Sequence, residues 1–507
     1  MTRIAGTLAL CTLFLCTAAL AVSTAQDRTL ALVGGTIIDG TGSQPVANGV
    51  VLITGTRIVA AGPASAVTVP AGAQVVDATG RYILPGFVDT NVHLSLYGGT
   101  NDRYETLVRY HSRQAEIVLE AAQLQLKYGI TTVRDSYGVL PPLVKVRDAT
   151  AAGNSIGPRI LAAGNIVGWG GPYSVSFSLI PERGLTLFQE QVNDDISQGA
   201  GEDLVDMDLP ELRTAIEAYL DKGPDFIKYG GTAHFARPAF IGFSPEAQKV
   251  IVEAAHKRNR AAETHATTID GLRLSLEAGI DLIQHPEVIG TREIPDALVK
   301  MIVDRGVICS MLTNTISGDA WRKHLKDREE ADKKRAEAEK KGASSTARTS
   351  AEQRQRDTER GVGIEARRKN AQKLIQAGAL VTIGTDNYWA AAPELSRTPK
   401  TDDQSHGIGS IIAIEGLVEL GMTPMQAIVA GTRNGARASR GLNDFGTIEK
   451  GKLADVIVLD ADPLADIKNI RKVSTVIRNG AVIDRDRLPE VRVLTRPPAA
   501  TKTSSAQ

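Results

Sequence analysis

The chain has 507 residues, too many for one small hydrophobic core and enough for a large domain with a smaller one beside it. Lysine plus arginine and aspartate plus glutamate each number 58, so no overall charge attracts nucleic acid or an anionic membrane. Glycine is abundant at 48 residues and aromatics make up only 4%, which is typical of a globular fold with many turns between strands and helices. A small-molecule partner is therefore favoured over a polyanion.

Residues 1–25 have the pattern of a signal peptide. Arg3 precedes the apolar run Ile4–Val22, and small residues follow at 23–25, where a signal peptidase cuts. We expect export to the periplasm or the medium, with an uncleaved anchor as the alternative because the run is long enough to span a bilayer. Two of the three cysteines lie within the signal, so Cys309 would be alone in the mature chain and no intrachain disulfide is expected.

Short strand-like runs with glycine turns occur at both ends of the chain, in residues 26–80 and again in 441–490. A different pattern lies between them. This arrangement predicts one small β-sandwich domain assembled from both chain ends. The tail 491–507 is rich in proline, threonine and serine and is expected to be disordered.

Residues 81–440 alternate apolar strand candidates with amphipathic helical stretches, the signature of βα units and a parallel sheet. Eight such strands with intervening helices predict an α/β fold of the (β/α)₈ TIM-barrel type. The predicted strands are 82–88, 130–133, 159–163, 225–228, 261–264, 282–284, 307–311 and 380–383.

A charged insertion, residues 319–362, interrupts this alternation after the seventh strand. It carries dense charge of both signs and no apolar stripe. We expect a solvated helical protrusion or a partly disordered segment, with a partner-binding arm as the alternative.

The residues with which the predicted strands end carry the functional signal, because a barrel of this type keeps its chemistry at the carboxyl ends of its strands. Any one of these residues is weak evidence, whereas their joint occurrence at five of eight strand ends is strong. They are Asn91 and His93 on strand one, Lys228 on strand four, His265 on strand five, His285 on strand six and Asp386 on strand eight.

Four other residues have weaker claims. His234 follows the strand-four lysine closely and Trp169 lies in a glycine-rich loop after strand three, so both are candidates for substrate contact and equally for ordinary loop residues. Arg134 and Asp135, at the end of strand two, are expected to form a buried structural ion pair.

At this point the chain resembles the amidohydrolase superfamily of metal-dependent hydrolases, in particular its imidazolonepropionase-like and prolidase-like branch. The resemblance covers nearly all of the chain after residue 25. The segments that carry it are Leu84–Asp89 before the strand-one site, Gly129–Asp135, and Gly446–Asp455 at the return into the β domain.

The resemblance implies a binuclear metal site. In the family a His-x-His pair on strand one and an aspartate on strand eight hold one ion, and histidines of strands five and six hold the other. Carried onto this chain, His93 and Asp386 serve the first Zn²⁺ and His265 and His285 the second, with a carbamylated Lys228 as the bridge. Two such ions would make a water molecule acidic enough to attack near neutral pH. Asp386 would then act as the catalytic base.

Asn91 departs from the family pattern, which has histidine at this position. An amide oxygen is a weaker zinc donor than an imidazole nitrogen, so the first metal should bind less firmly. Three outcomes stay open: Asn91 ligates through its oxygen, the site holds only the second metal, or catalysis has been lost.

The primary hypothesis is an exported metal-dependent hydrolase that cleaves a carbon–nitrogen bond in an amide, a dipeptide or a cyclic amide. The rival is a non-catalytic or impaired barrel protein that uses the same opening, at the carboxyl ends of the strands, as a ligand pocket. The expected partners are a small-molecule or dipeptide substrate and a further copy of the chain in a homo-oligomer. Neither nucleic acid nor, after signal cleavage, a membrane is expected.

Overall fold

The computed structural model describes residues 28–96, 109–178, 184–234, 240–340, 363–389 and 401–495. The predicted signal peptide, the second half of the charged insertion and all but the first residues of the predicted disordered tail lie outside these ranges. No helix within them is long and apolar enough to cross a membrane.

Eighteen strands are found in the described part of the chain. They are β1 Thr29–Ile37, β2 Val46–Thr54, β3 Arg57–Pro63, β4 Gln74–Asp77, β5 Tyr82–Pro85, β6 Phe87–His93, β7 Ile130–Asp135, β8 Arg159–Ala162, β9 Ile166–Val167, β10 Ile227–Gly230, β11 Ala262–His265, β12 Leu282–Gln284, β13 Ile308–Met311, β14 Leu380–Ile383, β15 Asn387–Tyr388, β16 Val456–Leu459, β17 Val473–Arg478 and β18 Ala481–Val482.

Helices connect and cover these strands. The α-helices are Gln114–Lys127, Leu140–Ala151, Val175–Ser178, Leu187–Ser197, Leu209–Asp221, Pro245–Lys257, Ile269–Ala278, Asp296–Arg305, Gly318–Lys340, 363–376, Ile408–Glu419, Pro424–Val429 and Gly435–Ala438. A π-helical turn, Ala430–Asn434, joins the last two. Ser244 caps the helix that begins at Pro245 by accepting from the Ala247 amide, a start that the Ser-Pro-Glu sequence predicts.

Strands from both ends of the chain pair in one eight-stranded sheet, in the order β18-β17-β16-β5-β1-β2-β3, with β4 pairing beside β1. Its own apolar core includes Leu32, Val51, Ile83, Val456 and Ile477, all of them fully buried. All eight strands are connected by hydrogen bonds in one sheet, with β4 as a branch beside β1. The two separate layers of a β-sandwich therefore stay a prediction.

The middle of the chain builds two parallel sheets, β15-β6-β7-β8 and β14-β13-β12-β11-β10-β9. Strands β6, β7, β10, β11, β12 and β13 are buried at every residue, as expected for parallel strands covered on both faces. The predicted third and eighth strands, 159–163 and 380–383, correspond to β8 and β14, and each is followed by a further short strand, β9 or β15, that joins the other sheet. The described strand pairs therefore form two arcs and not one continuous ring.

The predicted first strand, 82–88, is wrong as one unit. Tyr82–Pro85 belongs to the terminal sheet, where it pairs with β16, and the parallel strand that carries the site begins only at Phe87. Gly86 is the junction. Its amide donates to the Asp455 carbonyl, and a Cβ here would stand 2.2 Å from the Thr131 hydroxyl, so the chain turns between two sheets at a point with no room for a side chain.

The described half of the charged insertion is helical. The helix Gly318–Lys340 is exposed along most of its length and carries i, i+4 ion pairs such as Lys323 with Asp327 and Lys333 with Glu329. A solvated helix matches the expectation for this part, whereas 341–362 lie outside the described residues.

The expected ion pair between Arg134 and Asp135 is wrong. Neighbouring strand residues point to opposite faces of a sheet, so the two side chains diverge. Arg134 instead pairs with Glu263 at 2.5 Å, and both side chains are at most 1% exposed. Asp135 accepts from the Leu94 amide at 2.6 Å.

We expect Arg134→Leu to lower the free energy of unfolding by about 3 to 5 kcal/mol, because Glu263 would keep a buried charge without its partner. Urea denaturation followed by circular dichroism measures this. Arg273→Leu is the control, since Arg273 pairs with Glu277 on an exposed helix face, and its denaturation midpoint should stay near that of the wild type. Equal losses in the two variants would contradict a structural role for the buried pair.

Candidate metal centre

The six residues singled out from the strand ends lie together on the parallel sheets. Asn91 and His93 end β6, Lys228 lies on β10, His265 ends β11, and His285 and Asp386 follow β12 and β14. Asn91, Lys228 and the three histidines are at most 6% exposed. The Asp386 side chain is 38% exposed, so it is the member of the set that faces an opening.

His93 and Asp386 form the first close pair, with Nε2 of His93 2.8 Å from Oδ1 of Asp386. The other ring nitrogen, Nδ1, lies 3.1 Å from the Tyr137 carbonyl oxygen. A carbonyl only accepts, so Nδ1 carries the proton, and in a neutral ring Nε2 then presents a lone pair to the carboxylate. Two lone pairs at this distance require a cation between them, either a proton or a metal ion.

His265 and His285 form the second pair, with Nδ1 of His265 3.1 Å from Nε2 of His285. Two ligand atoms on a tetrahedral zinc stand about 3.3 Å apart, so this spacing suits a shared ion. Burial holds the pKa of His265 well below its usual range and lowers that of His285 to about 3. Both rings are therefore neutral at physiological pH, the form that ligates a metal.

Asn91 connects this site to its surroundings through both ends of its amide. The side-chain NH₂ donates to Oδ1 of Asp386 at 3.1 Å, and the amide oxygen accepts from the Ser136 hydroxyl. In this arrangement one of the two lone pairs of the oxygen that would ligate a metal already accepts a hydrogen bond.

Lys228 is buried beside Ser136, with Nζ 3.5 Å from the Ser136 hydroxyl. Burial lowers the pKa of Lys228, although Asp386, Glu263 and Asp135 oppose the shift. Desolvation raises the pKa of Asp386, but the fields of His93, His285 and Lys228 hold it well below its usual range. Asp386 is therefore ionised and Lys228 is more readily neutral than a surface lysine.

The backbone at two of these strand ends is strained. His285 and Asp386 have φ angles of 37° and 55°, a left-handed conformation that non-glycine residues rarely adopt. Asp89 holds the second of these turns and is fully buried. It accepts from the Thr385 hydroxyl at 2.7 Å, the Ser410 hydroxyl at 2.6 Å and the backbone N–H of Asn91 at 3.1 Å. Asp89 thus fixes Asn91 and the residue before Asp386 from one point.

The sequence alone did not indicate a role for Ser136, Tyr137 or Asp89. These residues hydrogen-bond to Asn91 or His93. The position of Ser136 and Tyr137 directly after the second strand is the only signal that points to them. Trp169 and His234 do lie beside the site: their rings are 4.7 Å and 6.0 Å from the His265 ring.

The donors form pairs and not a larger cluster. Across the described ranges, no group of three or more His, Cys, Asp or Glu side chains is arranged to hold a metal ion. Nε2 of His265 and Nδ1 of His285 are buried without a hydrogen-bond partner in those ranges. The two pairs of converging donors and the fixed tautomer of His93 fit a divalent cation, and the donor set of imidazole and carboxylate suits zinc.

Comparison with known proteins decides the family. A sequence profile described as "Amidohydrolase family" matches residues 82–483. The chain belongs to this family. It is an enzyme, a hydrolase, and the resemblance seen in the sequence is confirmed.

Two solved structures resemble the chain over almost its whole length. Molinate hydrolase is 29% identical with a TM-score of 0.80, covering 94% of this chain and 99% of its own. Phenylurea hydrolase B is 31% identical with a TM-score of 0.80, covering 93% and 100%. A Xaa-Pro dipeptidase, 20% identical with a TM-score of 0.65 over 90% and 100%, supports the fold alone. With the family match, these likenesses identify an α/β fold of the TIM-barrel type.

Two curated relatives extend the comparison. Ochratoxinase from Aspergillus niger is 24% identical over 414 residues, which cover 78% of this chain and 73% of that enzyme. Imidazolonepropionase from Brevibacillus brevis is 31% identical over 123 residues, or 24% of this chain and 26% of that enzyme.

Proposed function

We propose that this amidohydrolase is a metal-dependent enzyme that hydrolyses a carbon–nitrogen bond in an amide, a dipeptide or a cyclic amide. The observation that carries the proposal is the pair of donor contacts, His93 with Asp386 and His265 with His285, together with a buried lysine, Lys228. Supporting it, relatives of the chain are named molinate hydrolase, phenylurea hydrolase B and ochratoxinase.

In this proposal His265 and His285 hold one zinc firmly, and His93 with Asp386 supplies a second, weaker position. A divalent metal provides a Lewis acid and makes a water molecule acidic enough to attack a carbonyl at neutral pH. An amide oxygen is a weak zinc donor and that of Asn91 already accepts from Ser136 with one of its two lone pairs, so the single-metal outcome is favoured over ligation by Asn91. Asn91 then acts as a donor that orients Asp386.

A carbamylated Lys228 is part of the same proposal. Carbamylation joins the neutral amine to carbon dioxide with release of a proton, so a lysine whose pKa is lowered by burial is a better acceptor of CO₂ than a surface lysine. The product is an anion with two oxygens in place of a cation. That change of charge turns a group that repels a metal ion into one that can ligate it.

Asp386 is assigned the proton transfers. Its ionised carboxylate accepts the proton of the attacking water as the oxygen adds to the carbonyl carbon. The same proton then passes to the leaving nitrogen as the carbon–nitrogen bond breaks. Partial exposure of Asp386 gives a substrate access to this carboxylate.

Three further elements belong to the proposal. The two arcs of parallel strands close into one barrel where β8 is followed by β9 and β14 by β15, supported by the hydrogen bonds from Asp225 N to Ala162 O and from Asp386 N to Asn91 O. The chain is exported after cleavage near residue 25, which N-terminal sequencing of the mature protein tests. It assembles as a homo-oligomer, which light scattering tests.

The test is metal analysis of the purified protein together with an activity panel of N-acyl amino acids, dipeptides and cyclic amides. About one or two zinc ions per chain and turnover of a panel member are expected. Metal binding without turnover would favour the non-catalytic ligand-binding alternative. A protein that takes up no metal after incubation with zinc and still hydrolyses an amide would overturn the metal assignment.

We expect Asp89→Ala to weaken zinc binding by about 10- to 100-fold, because the Asn91 and Asp386 ends of two strands lose their common anchor. Chelator competition on the purified protein measures the affinity. Ser410→Ala is the matched control: it removes one hydrogen bond to Asp89 and leaves those from Thr385 and Asn91, so its effect should stay below about threefold. Loss of thermal stability in Asp89→Ala with unchanged zinc affinity would restrict Asp89 to a folding role.

A further inference from the structure

Four aromatic residues that the proposed mechanism does not use form a group next to His265: Tyr137, Trp169, Phe177 and His234. Trp169 lies at the centre of the group, with its ring 6.3 Å from Tyr137, 6.0 Å from Phe177 and 5.6 Å from His234. Its ring also packs edge-on against His265 at 4.7 Å. The group therefore extends from one of the proposed zinc ligands outward.

The inner part of this group is held rigidly. The indole of Trp169 donates to the Thr232 carbonyl at 3.0 Å, and the Trp169 carbonyl accepts from the Asn165 amide at 2.8 Å. Gly230 leaves the space that the indole fills, since a Cβ there would stand 2.0 Å from the indole nitrogen. A wall fixed in this way needs no rearrangement to receive a ligand.

The outer part of the group consists of Phe177 and His234. Their rings stack at 4.5 Å with an angle of 14° between the planes, and the His234 amide donates to the Ser176 carbonyl at 3.1 Å. Tyr137 and Trp169 are 2% and 3% exposed, whereas Phe177 is half-buried and His234 is exposed. Phe177 and His234 are thus the rings of the group that a substrate can reach.

We infer that Phe177 and His234 form the specificity wall of the active site and select substrates with an aromatic group beside the scissile amide. The inference rests on the proposed amide hydrolysis and names its substrate class. Tyr137, Trp169 and Phe177 carry no charge, so a charged substrate group that packs against these three rings would lose water without gaining a partner from them. An aromatic group loses no hydrogen bond and gains edge-to-face or offset contacts with the exposed rings.

The test compares two aromatic substrates with one reference compound, N-acetylalanine. N-benzoylalanine carries the ring on the acyl side, and N-acetylphenylalanine carries it on the amine side. The wild type is expected to cleave at least one of the aromatic pair with a kcat/KM about tenfold or more above that of N-acetylalanine. Phe177→Ala should remove this preference by lowering kcat/KM for the aromatic substrate towards the value for N-acetylalanine. Phe177→Tyr, which keeps the ring, should restore the preference.

Phe188→Ala is the matched control. Phe188 lies on the neighbouring helix Leu187–Ser197 and packs against His111, 5.7 Å between ring centres, outside the aromatic group. For Phe188→Ala, the ratio of kcat/KM for the aromatic substrate to kcat/KM for N-acetylalanine should equal that of the wild type. Equal loss on all three substrates in Phe177→Ala, or an aromatic preference that survives in it, overturns the inference.

Failure of the proposed amide hydrolysis has a different signature. If the zinc-loaded wild type cleaves none of the three compounds, calorimetric binding of N-benzoylalanine and N-acetylalanine tests separately whether the wall selects aromatic ligands. Binding of the benzoyl compound about tenfold more tightly, with the difference lost in Phe177→Ala and kept in Phe177→Tyr, supports the wall. Equal binding of the two compounds by the wild type overturns it.

Discussion

Replacing Asp386 with asparagine is expected to lower kcat by about 10²- to 10⁴-fold on whichever amide the wild type cleaves best, because the amide cannot take a proton from the attacking water. The substitution keeps the shape of the side chain and an oxygen that can face His93. Steady-state kinetics at saturating zinc measure the loss, and metal analysis of the same preparation separates a catalytic defect from loss of the ion.

Asp281→Asn is a closely matched control for this experiment. Asp281 also contacts a histidine at 2.8 Å, His256, but it precedes β12, at the opposite end of the strand from His285. Its effect on kcat should stay below about threefold. If Asp386→Asn retains more than about a tenth of the wild-type kcat with zinc bound, proton transfer belongs to another group.

Replacing Asn91 with histidine is expected to raise the zinc content towards two ions per chain and to tighten the weaker position by about tenfold or more, since imidazole is the better zinc donor. Titration with zinc against a chelator, followed by elemental analysis, measures both quantities. The position is fully buried, so the larger ring costs about 1 to 3 kcal/mol of stability, which thermal unfolding of the metal-free protein reports.

Asn91→Ala distinguishes a new ligand from a removed hydrogen bond. It cannot donate to Asp386 and adds no metal donor, so its zinc content should stay at the wild-type value. If the wild type already binds two zinc ions tightly and Asn91→His changes neither number nor affinity, the amide orientation seen here does not govern metal binding.

The sequence was sufficient for the parallel strands and for the residues at their ends, because both follow from local patterns: apolar runs alternate with amphipathic helices, and polar side chains come where a strand stops. Lys228, His265, His285 and Asp386 were found in this way. The division of the first strand at Gly86 could not be predicted, since Tyr82–Val88 is a continuous apolar run and only the pairing of β5 with β16 separates it.

Contacts between side chains that are distant in the sequence could not be predicted either. Arg134 lies next to Asp135 in the sequence, whereas its partner, Glu263, lies on β11 in the other parallel sheet. Phe177 has no motif around it, and its importance comes from the stack with His234. The direction of the Asn91 amide depends on the Ser136 hydroxyl, a contact that no spacing rule encodes.

Gly86 joins the first and last parts of the chain in a way that bears on how the enzyme is made. The strand before it, β5, has β16 as a neighbour, and the Gly86 amide is bonded to Asp455, so the base of the ligand-bearing strand β6 is completed by residues synthesised about 370 positions later. A nascent chain still short of residue 455 lacks that support. The metal centre is therefore expected to form only after residue 455 has been synthesised, and a fragment cut after residue 440 should bind zinc poorly even though it contains every proposed ligand.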